Sequence, residues 1–98
     1  MDDHINLTVE FYGTSRQAAD TSQLNIEIPS DNSVLWSDIT TTLLEKLPGL
    51  AGKVIEVESG CLVSSYAINL NGRHFINQEK TAFKDGDVLI IVPSMAGG

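Results

Sequence analysis

Apolar and polar residues alternate strictly through Ile5-Asn6-Leu7-Thr8-Val9-Glu10-Phe11-Tyr12, with positions 5, 7, 9 and 11 apolar. A period of two predicts a half-buried strand. Gly13-Thr14-Ser15 breaks it. The alternation resumes in Leu24-Asn25-Ile26-Glu27-Ile28-Pro29, where 24, 26 and 28 are apolar. The short connection predicts that these two segments pair as an antiparallel hairpin. Ser30-Asp31-Asn32-Ser33 then offers a cluster of helix-capping residues. After it the period changes. Leu35, Trp36, Ile39, Leu43, Leu44 and Leu47 recur every three or four residues, which predicts an amphipathic helix of about four turns. Thr40-Thr41-Thr42 lowers its intrinsic propensity, so the helix depends on packing against a sheet. Pro48-Gly49 ends it.

The pattern is weakest over residues 50–65. Lys53 to Glu58 alternates faintly, and Gly60 suggests a turn. Tyr66-Ala67-Ile68-Asn69-Leu70 reads as a strand. Asn71-Gly72 is the strongest two-residue hairpin signal in the chain, with Arg73-His74-Phe75-Ile76 as the short return. Asp85-Gly86-Asp87 forms a turn before the last strand, 88–93. The order is strand, strand, helix, strand, short strand, strand. One main helix on one face of a mixed sheet of about five strands satisfies the two-layer rule for an α+β domain. The last strand is apolar at every position. One alternate set must face the helix and the other must face away, and the pattern does not choose between them.

With 98 residues the chain reads as one domain, residues 1–93, followed by a flexible Gly-Gly tail, residues 94–98. No apolar run approaches the roughly 18 residues of a transmembrane helix. The start, Met1-Asp2-Asp3-His4, lacks the charged-then-apolar pattern of a signal region, so a cytoplasmic location is expected. One cysteine, Cys61, excludes an internal disulfide and any four-cysteine metal or iron–sulfur site. It reads as a small, partly buried residue, because no CxxC and no adjacent base activate it. The net charge of −7, from 13 acids against 6 bases, argues against nucleic acid or an anionic membrane as partner. It suits a basic partner surface equally as well as it suits plain solubility.

Candidate chemistry within the domain is sparse. His4 and His74 have no Ser, Cys or carboxylate at a spacing that suggests a triad. Asp85 and Asp87 are explained by turn chemistry. No Gly-rich loop precedes a helix, so there is no nucleotide site. Trp36 reads as core. The carboxyl end, Met95-Ala96-Gly97-Gly98, is more informative. Glycine has no Cβ, so such a tail threads a slot too narrow for other residues. Pro93 to Gly98 spans about 20 Å when extended, enough to reach another protein's active site.

Together these residues resemble a known family. Phe11-Tyr12-Gly13-Thr14-Ser15-Arg16, Leu47-Pro48-Gly49-Leu50, Asn71-Gly72, Phe83-Lys84-Asp85-Gly86-Asp87 and a strand-Pro-x-x-Ala-Gly-Gly end look like the MoaD/ThiS sulfur carriers. These are β-grasp, ubiquitin-like proteins. Pro93 is followed by Ser94, where MoaD-type tails often carry a second proline. Residues 50–65 are longer than in the shortest thiamin-pathway carriers, which argues against a ThiS assignment.

The resemblance implies a carrier and not an enzyme. A MoeB/ThiF-like activating enzyme would join the Gly98 carboxylate to AMP from ATP, and a persulfide sulfur would displace the AMP. The product is a thiocarboxylate on Gly98. It would be delivered to a MoaE-like large subunit of molybdopterin synthase, in molybdenum cofactor biosynthesis. No cofactor is bound by the carrier itself; ATP is used by the partner. The resemblance further implies a monomer alone and a heterotetramer with the large subunit. Gly97, Ala96 and Met95 would thread the partner's channel, and Pro93 would stiffen the root. Leu89 and Ile91 would face the helix, while Val88, Ile90 and Val92 would face the partner, with Arg16 as a further contact.

Two other functions are compatible with the same residues. In a protein modifier a lysine amine would attack activated Gly98. In a plain interaction domain the Gly-Gly end would be incidental. Carriers for cysteine synthesis, tRNA thiolation or a tungsten cofactor would carry much the same tail.

Overall fold

The alternating segment at the start of the chain forms β1, His4–Phe11, in a computed structural model that describes residues 3–94. β2, Gln23–Pro29, lies antiparallel to it, with Leu7 opposite Ile26 and Ile5 opposite Ile28, so their buried sides coincide. The connection is more than a hairpin loop. It holds a short helix, α1, Thr14–Ala19. This helix escapes the hydrophobic pattern because its buried residues are Ser15 and Ala19, which make no apolar stripe. The Ser15 hydroxyl is satisfied by donating to the Tyr12 carbonyl at 2.6 Å.

The main helix, α2, spans Trp36–Lys46. Its 11 residues make about three turns, fewer than the spacing predicts. It also starts later than the capping cluster suggests. Ser30 donates its hydroxyl to the Ser33 carbonyl and shapes a turn instead. Val34 is then drawn into a bridge with Phe83, exchanging backbone hydrogen bonds of 3.0 and 2.8 Å. Leu35 is left at the cap position with no side-chain acceptor, and it stays 57% exposed, outside the buried stripe. The Asp38 carboxylate accepts from the Leu35 N–H at 3.0 Å, which is half of a capping box. Trp36, Ile39, Thr40 and Leu43 form the buried face, with Leu44 and Leu47 partly buried beside it.

A single 3₁₀ turn, Pro48–Leu50, follows Leu47. From there to residue 65 the chain has turns and isolated bridges but no regular element. Four apolar residues of this stretch, Leu50, Val54, Ile55 and Leu62, are nevertheless buried. Local backbone pairing makes this possible. The Leu50 carbonyl accepts from Val54 and Ile55, Val63 donates to Val54, and Glu56 donates to Cys61.

β3, Tyr66–Leu70, and β4, His74–Ile76, form the hairpin predicted around Asn71-Gly72. Asn71 and Gly72 have φ of 59° and 70°, the left-handed pair that a two-residue turn requires. A second 3₁₀ turn, Gln78–Lys80, precedes the Asp85-Gly86-Asp87 turn. The latter is tied to β1, with Asn6 N–H donating to Asp85 Oδ1 and Gly86 N–H to the Asn6 carbonyl.

β5, Val88–Pro93, then enters the middle of the sheet. The strand order is β2-β1-β5-β3-β4, with β5 parallel to β1 and antiparallel to β3. Leu89 and Ile91 are fully buried in one cluster with Val9, Phe11 and Ile68 of the sheet and Ile39 and Leu43 of α2. Burying each such side chain contributes about 1.5–3 kcal/mol. The result is the expected α+β architecture, a five-stranded mixed sheet with one main helix on one face.

Candidate functional site

The face of the sheet turned away from α2 carries the outward residues of β5. Val88, Ile90 and Val92 are half-buried there, on the opposite side from Leu89 and Ile91. Register sets their neighbours. Val92 lies opposite Ala67, Ile90 lies between Glu10 and Asn69, and Val88 lies beside Thr8. Phe75 sits across from Asn69 on β4 and is 63% exposed. Tyr12, 48% exposed, extends the face beyond the end of β1, with its N–H bonded to the Ile91 carbonyl at 3.0 Å. These side chains form an apolar surface crossing three strands, the kind of surface that marks a docking site.

A polar group is enclosed in it. Among the described residues, Asn69 Oδ1 is buried and has no hydrogen-bond partner. The edge toward β2 is polar and acidic: Thr8 donates to Asn25, and Glu10 and Glu27 stand on the two strands. Tyr12 donates its hydroxyl to Glu10 Oε1 at 2.9 Å. That hydrogen bond and the Glu10 charge hold the phenol above its ordinary value of 10.0, while the Arg16 cation acts in the opposite sense. Arg16 therefore lies beside Tyr12 at the rim, on α1, with its side chain exposed.

The chain leaves the sheet at this face's end. Pro93 packs against Gly13, so closely that a Cβ on Gly13 would come within 2.7 Å of Pro93 Cγ. Ser94 N–H donates to the Ser65 carbonyl at 2.7 Å. The Thr14 and Tyr66 hydroxyls bond to each other next to it. The position from which the chain continues is thus fixed on both sides. Met95, Ala96, Gly97 and Gly98 lie outside the described residues. Val88, Ile90, Val92, Pro93 and Arg16 come together around one face and its exit point. Tyr12, Ala67, Asn69 and Phe75 belong to the same face and were not singled out from the sequence. Their signal was parity: each takes the outward register once the partners of β5 are known. Among the described residues, no cluster of three or more His, Cys, Asp or Glu is placed to hold a metal ion.

No protein-family model matches the chain. Individual proteins do. It is 29% identical over 96 residues to a protein of Drosophila yakuba named molybdopterin synthase sulfur carrier subunit, covering 96% of this chain and 92% of that one. It is 28% identical over 96 residues to small archaeal modifier protein 3 of Haloferax volcanii, covering 96% and 100%. The solution structure of small archaeal modifier protein 1 from Methanosarcina acetivorans superposes with a TM-score of 0.72 at 25% identity, over 98% of this chain and 99% of that one. The fold is a ubiquitin-like β-grasp. Its resemblance to the MoaD-type carriers therefore holds in sequence and in structure. A chain of the protein–protein complex of subunits 1 and 2 of the Helicobacter pylori molybdopterin-converting factor shares the fold, with a TM-score of 0.55 at 24% identity, over 96% of this chain and 100% of that one. No helix among the described residues is long and apolar enough to cross a membrane.

Proposed function

We propose that this chain is a sulfur carrier whose Gly98 carboxylate is activated by a partner enzyme and converted to a thiocarboxylate. The observation that carries the reading is the continuity of β5 with the tail. One strand presents Val88, Ile90 and Val92 outward and then runs through the anchored Pro93-Ser94 root into Met95-Ala96-Gly97-Gly98. A partner docked on the strand meets the Pro93-Ser94 root at a set position.

The chemistry follows from the carboxylate. It is a poor electrophile, and adenylation by ATP supplies the leaving group. The terminal sulfur of a partner's persulfide displaces AMP to give an acyl disulfide. A second partner thiol then cleaves the S–S bond, which leaves a disulfide on the donor and a thiocarboxylate on Gly98, whose sulfur anion is a strong nucleophile. A partner related to MoeB/ThiF adenylating enzymes would perform the first step. A molybdopterin synthase large subunit would use the sulfur, an assignment supported by the name of the Drosophila relative. The catalytic side chains belong to the partners, and the acceptor is the molybdenum cofactor precursor. The names of the archaeal relatives favour a second reading, in which a lysine amine captures the activated Gly98 as an isopeptide.

Intact mass after incubation with an activating enzyme, ATP and a sulfur donor decides between them. A gain equal to one oxygen replaced by sulfur, absent when Gly97 and Gly98 are deleted, supports the carrier. Adducts on lysines of other proteins support the modifier. No change with a competent activating enzyme sinks both.

A further inference from the structure

A second surface lies on the helix side of the molecule, away from the outward face of β5. The amino-terminal half of α2 and the segment 57–61 enclose an open groove of about 470 Å³, with Glu79 of the second 3₁₀ turn at its edge. Two of its apolar residues are conspicuously wet: Leu35 is 57% exposed and Val57 63%. Trp36 and Leu44 continue the apolar lining.

The groove is held in shape by its own hydrogen bonds. Trp36 Nε1–H donates to the Gly60 carbonyl at 2.9 Å, which pins the segment to the helix. Gly60 N–H donates to the Glu56 carbonyl at 2.8 Å, and Cys61 N–H to Ser59 Oγ at 3.1 Å. Ser59 in turn donates its hydroxyl to Glu56 Oε1 at 2.9 Å. These bonds also use up donors. The Thr40 and Thr41 hydroxyls both donate to the Ser37 carbonyl, at 3.1 and 2.9 Å. Thr40 is buried, and the exposed Thr41 oxygen is left as an acceptor only. Glu58 and Glu79 add two carboxylates, and among the described residues no Lys or Arg lines the groove. Its polar complement is therefore mostly acceptors and negative charge around an apolar floor.

We propose that this groove binds a basic, leucine-containing segment of another protein. An apolar side chain of the segment sits between Leu35 and Val57, and flanking lysine or arginine side chains reach Glu58 and Glu79. Complementary charge selects this occupant over the others. Phosphate-bearing ligands and anionic lipid are repelled by the carboxylates. A second copy of this chain brings a net charge of −7 against the same sign. Because the groove and the β5 face are on opposite sides of the fold, the segment binds without displacing a partner on the sheet.

The tail plays no part, so the proposal stands or falls independently of the carrier function. Trp36 is the only tryptophan of the chain and lines the groove, so its fluorescence reports occupancy. The full chain is titrated with the blocked peptide Lys-Leu-Leu-Lys and, as control, with Glu-Leu-Leu-Glu. The lysine peptide gives a saturable change, and the control binds at least about fivefold more weakly. The double variant Glu58→Gln/Glu79→Gln, folded by circular dichroism, loses about fivefold in affinity for the lysine peptide, as expected for two exposed ion pairs. Leu35→Ser weakens it as well, and Val92→Asp on the far face leaves it unchanged. No saturable change, equal binding of both peptides, or loss of binding in Val92→Asp overturns the proposal.

Discussion

Single residues fix the exit point of the tail. Gly13 has φ 64° and ψ −139°, a combination that only glycine adopts readily. It also receives Pro93 where a Cβ would stand. Gly72 has a positive φ as well, 70°, but nothing lies within 4 Å of where its Cβ would be. Gly13→Ala should therefore cost about 2–4 kcal/mol, through strain and displacement of Pro93, and Gly72→Ala about 1 kcal/mol, through strain alone. Denaturant unfolding of the two variants checks the order. Asn69 makes the reverse prediction. Its unpartnered carbonyl oxygen costs free energy, so Asn69→Leu should leave stability unchanged or raise it by about 1 kcal/mol in the same assay. Tyr12 is a third case. Its phenol is held neutral by the hydrogen bond to Glu10, so the folded protein binds this proton more tightly than the unfolded chain. The associated stability is fully present below pH 10.0 and is lost as pH rises through the raised value. In a spectroscopic titration Glu10→Gln should bring the phenol down toward its ordinary range.

At the scale of elements, β5 separates two kinds of residue that are alike in composition. Ile91 is fully buried between β1 and β3 and against α2, so Ile91→Ala should cost about 2–5 kcal/mol. Val92, its neighbour in sequence, faces outward over Ala67. Val92→Asp should keep the far-ultraviolet circular dichroism of the native fold and abolish binding to the activating enzyme. Loss of the folded signal would mean that Val92 supports the core and not a partner. The period of two made β1, β2 and β3 visible and the period of 3.6 made α2 visible, because each buries one face against something large, while β5 showed as an unbroken apolar run. α1 was invisible because six residues with Ser15 and Ala19 inward give no stripe. Segment 50–65 was illegible for a related reason. Its buried residues, Leu50, Val54, Ile55 and Leu62, are placed by turns and single bridges, and neither has a repeat.

Across the whole molecule, charge and shape act together. The net charge is −7, and Glu10 and Glu27 stand beside the apolar face, so the partner proposed to dock there should present a basic rim. Association with the activating enzyme should slow on the order of tenfold between about 0.01 M and about 0.15 M salt, with dissociation little changed. Stopped-flow mixing at the two ionic strengths checks this. A rate independent of salt would mean that the acidity serves solubility alone.

The sequence by itself determined which segments are strands, which is the main helix, where the Asn71-Gly72 and Asp85-Gly86-Asp87 turns fall, and the glycines at its carboxyl end. These are local properties: side-chain period, turn conformation and the absence of a Cβ depend on residues close in the chain. Tertiary structure decided that β5 sits at the centre of the sheet and parallel to β1, that Leu89 and Ile91 turn inward, and that Tyr12, Asn69 and Phe75 join the outward residues. It also delayed the start of α2 by pairing Val34 with Phe83. An all-apolar strand has two acceptable faces, and only the neighbours that cover one of them remove the ambiguity.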